Sequence, residues 1–184
     1  MFLSKRAEIC FRTDADVLTD TCSDVNSLAR KPDSSLSERL LNTDSPTRQR
    51  DLIFSFLPTQ VNHNTSQQDS VTEYALTRLI QSKGNIPVNE LWQNLNVSER
   101  TLEQKFRQSV GVSPKLFARI CRFQASITQL RANKYDKLSD ITFENSYADQ
   151  SHFIRAFSEF SEFSPAQYQK KSREVVKNFP ELIG

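Results

Sequence analysis

The sequence predicts an all-α protein in which two helix-turn-helix units are joined by a long helix and preceded by a small helical region. Three observations carry this prediction. Glycine is scarce, with Gly84, Gly111 and Gly184 the only three in 184 residues, where average usage would supply about 13. Apolar residues recur at three- and four-residue steps along most of the chain, and no stretch alternates as a strand would. A unit of about 30 residues, built of helix, turn and helix, occurs twice in the second half.

Taken in order, the elements read as follows. From Asp16, the positions Leu18, Cys22, Val25 and Leu28 form one helical face, ended by Lys31-Pro32. A short helical piece covers Leu36 to Leu41. Ser45-Pro46 is a cap followed by proline at the first helical position, and it starts a helix whose buried face is Leu52, Ile53, Phe56 and Leu57. Residues 58–69, with Pro58 and the run from His63 to Gln68, read as a polar loop and set the domain boundary. Ser70 with Glu73 forms a capping box for a helix carrying Val71, Tyr74, Ala75, Leu79 and Ile80, stopped by Gly84. Pro87 opens a short helix with Val88, Leu91 and Leu95 inward. Ser98 caps a helix with Leu102 and Phe106 inward, and Gly111 ends it. Ser113-Pro114 starts the longest helix, lined by Phe117, Ile120, Phe123 (or Gln124), Ile127 and Leu130. After a break from Asn133 to Lys137, helices near 138–145, 150–160 and 165–175 complete the chain. The expected division is 1–69, a helical N-terminal region; 70–176, a bipartite domain; and 177–184, a tail.

Composition narrows function. A phosphate-binding loop or a dinucleotide fingerprint needs clustered glycines for tight turns and close phosphate approach, and these are spread far apart. Net charge is +2, which neither demands nor excludes nucleic acid, but its division is uneven. Residues 1–83 hold 10 basic and 11 acidic residues, and residues 84–184 hold 14 and 11, so the second half is mildly basic. Cys10, Cys22 and Cys121 give neither a disulfide framework nor a zinc spacing, and reduced thiols are expected. The N-terminus lacks a signal-peptide apolar core, and no apolar run approaches the roughly 20 residues of a membrane span. A cytoplasmic protein without membrane contact is expected. The two histidines, His63 and His152, offer no convergent set of titratable groups, so no enzyme, metal or cofactor is expected. The 13 phenylalanines fall mostly at inward helical positions, as core rather than as a stacking platform, and Cys121 borders the inner stripe of the long helix.

The repeat is the informative feature. At an offset of 51, Leu102 falls on Phe153, Phe106 on Phe157, Ser98 on Asp149, Ser113-Pro114 on Ser164-Pro165 and Phe117 on Tyr168. Upstream the offset is 50, which places Leu91 on Ile141 and Val97 on Tyr147. Each unit is a short helix, a tight turn, a capped second helix, a Ser-Pro restart and a third helix with an aromatic. In a helix-turn-helix the second helix enters the DNA major groove by its N-terminal end. Pro114 to Ala132 spans 19 residues, or roughly 28 Å at 1.5 Å per residue, which with side-chain reach holds two such helices about one DNA turn apart.

These residues resemble the AraC/XylS family of bacterial transcription regulators. The carriers are Val97-Ser98-Glu99-Arg100-Thr101-Leu102 with Phe106, Gly111-Val112-Ser113-Pro114-Lys115, and Arg119 with Arg122-Phe123-Gln124. In the second unit they are Asp140-Ile141, Tyr147, Asp149 through Arg155 with Phe157, and Ser164-Pro165 with Tyr168. The match covers about residues 70–170. It implies a seven-helix, homeodomain-like bipartite domain that binds double-stranded promoter DNA and regulates transcription, usually as an activator, by positioning RNA polymerase. By the resemblance, base-facing positions fall on Arg100, Glu103 and Gln104, and in the second unit on Gln150, Ser151 and Ile154, with Arg155 near the backbone. Arg107 completes the DNA-facing set. The chemistry suits these roles, since Arg forks onto guanine, Gln onto adenine, and Glu accepts from cytosine N4. Lys115, with Ser113 at the start of the long helix, suits a phosphate.

The sequence departs from the family at three places. Trp92 stands where a small residue is common, so it must face outward or force a wider packing. Ser146 and Glu162 stand where glycine is favoured, and a left-handed φ at either costs roughly 1 kcal/mol over Gly. Residues 1–69 have no counterpart of an upstream β-rich sensor, so the chain is either a naturally short regulator or the C-terminal part of a longer one. The face from Val17 to Leu28 either folds back on the core or serves dimerisation, and the sequence names no small-molecule effector. The alternative function is a helical protein-interaction module that keeps the fold without binding DNA.

Overall fold

The computed structural model describes residues 14–24, 27, 33, 35–60, 69–133 and 135–178. Among them the chain forms nine α-helices, one short 3₁₀ helix and no strand. The helices are α1 (Leu36–Leu41), α2 (Pro46–Gln60), α3 (Ser70–Gln81), α4 (Val88–Asn94), α5 (Glu99–Val110), α6 (Pro114–Ala132), α7 (Leu138–Glu144), α8 (Gln150–Ser161) and α9 (Pro165–Asn178). The predicted restarts at Pro46, Pro114 and Pro165 coincide with the first residues of α2, α6 and α9. Proline there gives up an N–H that has no helical partner anyway.

The described residues fall into two compact units. In the first, from residues 1–75 and 92–114, α5 buries Leu102, Phe106 and Val110. The 3₁₀ helix Ala15–Leu18 packs against α5, and Thr19 Oγ1 donates to the carbonyls of Ala15 (3.1 Å) and Gly111 (2.9 Å). Gly111 has φ +87°, and a Cβ there would meet Thr19 Oγ1 at 2.6 Å. Leu36 and Phe56, flanked by Leu40 and Leu52, form a small separate cluster between α1 and α2.

In the second unit, from residues 76–91 and 115–184, the core is Phe123, Leu130, Ile141, Tyr147, Phe153 and Phe157. Its rings meet edge-on or tilted, with Phe123–Phe157 at 5.1 Å, Phe153–Phe157 at 5.7 Å and Phe157–Tyr168 at 5.6 Å between centroids, the geometry that ring quadrupoles favour. Gly84 lies against α6, where a Cβ would stand 2.1 Å from the Ala118 carbonyl oxygen. It also holds φ +78°, so both close approach and a left-handed backbone call for glycine here. The residue that ends α3 is Lys83, at φ +54°.

Several expectations are corrected. The helical face expected from Asp16 does not form an α-helix over its described part, because the backbone turns at Asp20 (φ +55°) after four residues of 3₁₀ helix. There Ala15 is buried while Val17 and Cys22 are exposed. Val25 and Leu28 lie outside the described residues, as do 61–68 of the polar loop. Pro58 belongs to the last turn of α2 and not to a loop, since a proline that close to a C-terminus forfeits a single helical hydrogen bond. Ile53 and Ile80 are outside the buried faces, 44% and 45% exposed, while Leu76, unremarked in the sequence, is buried. The cap of α3 is Asp69 and not Ser70: Asp69 carries the Glu73 backbone bond (3.0 Å) and accepts from Thr72 Oγ1 (2.8 Å). Trp92 is half-buried, and on α6 Phe123 is the inward residue while Gln124 is exposed.

Candidate nucleic-acid interface

The two repeated units are built by the same local rules. α4 and α7 have seven residues each, and α5 and α8 have twelve. In the first turn Val97 N bonds Trp92 O (3.2 Å) and Asn96 N bonds Gln93 O (3.1 Å). In the second Tyr147 N bonds Thr142 O (3.0 Å) and Ser146 N bonds Phe143 O (3.1 Å). These are matching Schellman closures, with Asn96 at φ +52° and Ser146 at φ +54°. The second turn carries an extra brace: the buried Asn145 donates to Ile141 O (2.8 Å) and to Gln129 Oε1 on α6 (2.5 Å). α8 likewise ends in a left-handed residue, Glu162 at φ +62°. Both non-glycine positions thus adopt the costly conformation.

Each second helix starts from a satisfied cap. Ser98 Oγ accepts from Thr101 N (3.1 Å) and Asp149 Oδ1 from His152 N (2.7 Å). Beneath the start of α8, Tyr147 packs against His152 and Phe153 at 5.6 and 5.1 Å. Burial pushes the Tyr147 phenol upward, and a hydrogen bond with Ser126 and the charges of Arg122 and Arg119 oppose this.

On α5, Arg100 and Gln104 are exposed and their side chains make no hydrogen bond or ion pair with described residues. Glu103 and Arg107 are brought together: Nε and Nη2 of Arg107 both donate to Glu103 Oε1, at 3.2 and 3.0 Å. Lys115, on the first turn of α6, is exposed and makes no ion pair with a described residue. On α8, Gln150, Ser151 and Arg155 are exposed and equally unengaged. Ile154 is half-buried and packs against the second core.

One basic residue of α5 is tied down in a way the sequence did not signal. Lys105 donates to Asp69 Oδ1 at 2.8 Å. Desolvation pushes the Asp69 carboxyl up, but the bonds from Lys105 and Thr72 outweigh it and hold it below its ordinary range. The contact joins residues 36 apart, beyond any local spacing rule. Among the described residues no group of three His, Cys, Asp or Glu side chains is placed to hold a metal ion, and no helix is long and apolar enough to cross a membrane.

Comparison with known proteins agrees with this geometry. A helix-turn-helix domain family matches residues 91–171. The chain is similar to an uncharacterised HTH-type transcriptional regulator of Haemophilus influenzae, 28% identical over 104 residues, 56% of this chain and 35% of that protein. It is also similar to one of Staphylococcus aureus, 26% identical over 94 residues, 51% of this chain and 12% of that protein. The chain thus spans about a third or less of these relatives. Among solved structures, the C-terminal domain of AraT, a response regulator from Geobacillus stearothermophilus, shares the fold. It has a TM-score of 0.53 at 21% identity over 58% of this chain and 88% of that one. Residues 91–171 match the helix-turn-helix domain family, and the chain is similar to HTH-type transcriptional regulators.

Proposed function

We propose that the chain is a sequence-specific regulator of transcription that binds double-stranded promoter DNA. Residues 70–176 serve as the DNA-binding domain, and α5 and α8 enter successive major grooves. Arg100, Glu103, Gln104 and Arg107 face the DNA from α5, Gln150, Ser151, Ile154 and Arg155 face it from α8, and Lys115 takes a backbone phosphate. The observation that carries this reading is the pair of capped helices on which Arg100, Gln104, Gln150, Ser151 and Arg155 are exposed and make no side-chain bond with a described residue. Such side chains on a surface helix are ready to exchange water for base edges at little cost within the protein. The protein works in the bacterial cytoplasm as an activator that positions RNA polymerase, with the N-terminal region available for dimerisation.

Selection of binding sites from random duplex DNA tests the proposal. The expected result is a motif of two half-sites about one helical turn apart, bound with a Kd of roughly 10⁻⁸ M and a steep salt dependence. Arg100→Ala is expected to cost about 1–3 kcal/mol on the preferred site and to relax preference at one base pair. Recovery of no enriched sequence would overturn the proposal, and a single half-site would remove α8 from it.

A further inference from the structure

We infer that Glu103 and Arg107 act as one reading unit on α5, in which Arg107 positions and neutralises the Glu103 carboxylate so that it accepts the N4 amine of a cytosine. The inference rests on the proposed DNA reading and adds a base identity to it. A bare carboxylate facing DNA is repelled by the phosphates, which makes Glu103 by itself a poor candidate for base contact. The structure resolves the difficulty. Both Arg107 donors, Nε and Nη2, converge on one oxygen, Oε1, and the second oxygen, Oε2, has no hydrogen-bond partner among the described residues. A carboxylate paired in this way is close to neutral overall and still presents an acceptor, and an ionised acceptor is what the cytosine amine selects in the major groove. The two residues sit one turn apart on the exposed face of α5, at side-chain exposures of 46% and 50%. The pair is present in the chain without DNA, and an exposed pair of this spacing is worth about 0.3–0.5 kcal/mol, so it biases the two side chains toward this geometry.

The repeat supplies an independent observation. At the offset of 51, Glu103 corresponds to Ile154 and Arg107 to Ser158. Ile154 is half-buried, with part of its side chain against the second core and part exposed. Acid and base are therefore present together in one unit and absent together in the other, as expected of partners in a single function.

The test compares the DNA motifs selected by the full chain and by E103Q, R107A, R107K and the double variant E103Q/R107A, with circular dichroism checking that each keeps its helices. The wild-type motif is expected to contain a C·G pair at which exchange of cytosine weakens binding roughly tenfold. E103Q is expected to erase that preference. R107A is expected to erase it too although the carboxylate remains, R107K to restore part of it through a single donor, and R107A added to E103Q to change base preference no further. If R107A weakens all sequences equally and keeps the cytosine preference, Arg107 is a phosphate contact and the inference fails. If E103Q leaves every position of the motif unchanged, it fails as well. Both results leave the DNA reading standing, whereas a wild-type chain that selects no sequence at all overturns that reading and this inference with it.

Discussion

The left-handed residue that closes α8 makes a quantitative prediction. Glu162 holds φ +62°, where an L side chain costs roughly 1–2 kcal/mol that glycine does not. Its side chain is exposed and makes no bond within the described residues, so truncating it sacrifices no contact. Its N–H bonds the Ser158 carbonyl at 2.9 Å, and glycine keeps that bond. A carboxylate at a helix C-terminus also opposes the helix dipole, by about 0.3 kcal/mol at an exposed site. Against these gains, glycine widens the unfolded ensemble by about 0.4–1 kcal/mol. Glu162→Gly is therefore expected to stabilise the protein by roughly 0.3–1.9 kcal/mol, raising the melting temperature by about 1–7 °C. Thermal unfolding followed by circular dichroism reads this directly, and two companions separate the causes. Glu162→Gln removes the charge but keeps the Cβ, so it recovers only the dipole part. Gly111→Ala, at the equivalent position of the first unit, has the opposite sign. It adds the left-handed cost and drives a Cβ to 2.6 Å from Thr19 Oγ1 and 3.0 Å from Ala15 O, for a loss of about 2 kcal/mol once the Thr19 bonds are disturbed. The reasoning is refuted if Glu162→Gly melts at or below the wild-type temperature, or if Glu162→Gln gains as much.

Three further predictions follow from the same geometry. Asp69 has a lowered carboxyl pKa in the folded state, so its contribution to stability is present above its unfolded pKa of about 3.9 and is lost as pH falls through the lower folded value. Asp69→Asn should therefore lower stability at neutral pH by about 0.5–1 kcal/mol, a modest figure because Lys105 is 42% exposed, and should lose less than wild type does on acidification below pH ~4 in urea titrations. Burial pushes the Cys121 thiol up while Cys22 is exposed, so in a Cys10→Ser background an alkylating reagent should modify one thiol at once and the second only after denaturation. Equal rates at both, measured by mass spectrometry, would contradict the burial. Lys115→Ala should weaken binding to every DNA sequence alike and lower the slope of log affinity against log salt by about 1, whereas a change in base preference would remove Lys115 from the phosphate role.

What was legible in the sequence was whatever short spacings encode. Ser-Pro pairs marked the starts of α2, α6 and α9, and the three- and four-residue rhythm gave the buried rows Leu102–Phe106 and Phe153–Phe157. The costs at Ser146 and Glu162 were legible as conditions, because a required left-handed φ shows through the residue that should be glycine. What failed has a common cause: the phase of a helix face is ambiguous when apolar residues surround the helix. Ile53 beside Leu52 and Phe56, and Ile80 beside Leu79, satisfy the rhythm yet point to solvent. Contacts between distant residues were beyond reach altogether. Nothing near Asp69 announces Lys105, and nothing near Thr19 announces the Gly111 carbonyl 92 residues on. The face from Asp16 fails for the complementary reason, since a single backbone reversal at Asp20 ends a periodicity that the sequence alone would continue.

The two units share a framework and differ in the chemistry placed on it. At the start of α6 the proline is followed by Lys115, which makes no ion pair with a described residue, whereas at the start of α9 the matching residue is Ala166. There the helix start is closed on itself: Gln167 Oε1 accepts from Ser164 N (2.9 Å) and Ser164 Oγ from Gln167 N (3.3 Å). On the reading helices the same contrast holds, with the charged pair Glu103 and Arg107 on α5 against Ile154 and Ser158 on α8. On the proposed DNA reading, the first unit then carries most of the phosphate attraction and the charge-assisted base contacts, so its contribution weakens steeply with salt. The second reads through Gln150, Ser151 and Arg155 beside an apolar Ile154, a combination suited to an adenine edge and a thymine methyl. The half-site under α8 is accordingly expected to be richer in A·T pairs and its recognition less sensitive to salt. This division of labour follows from three differences, Lys115 against Ala166, Glu103 against Ile154 and Arg107 against Ser158, in a repeat whose short helices and second helices match in length.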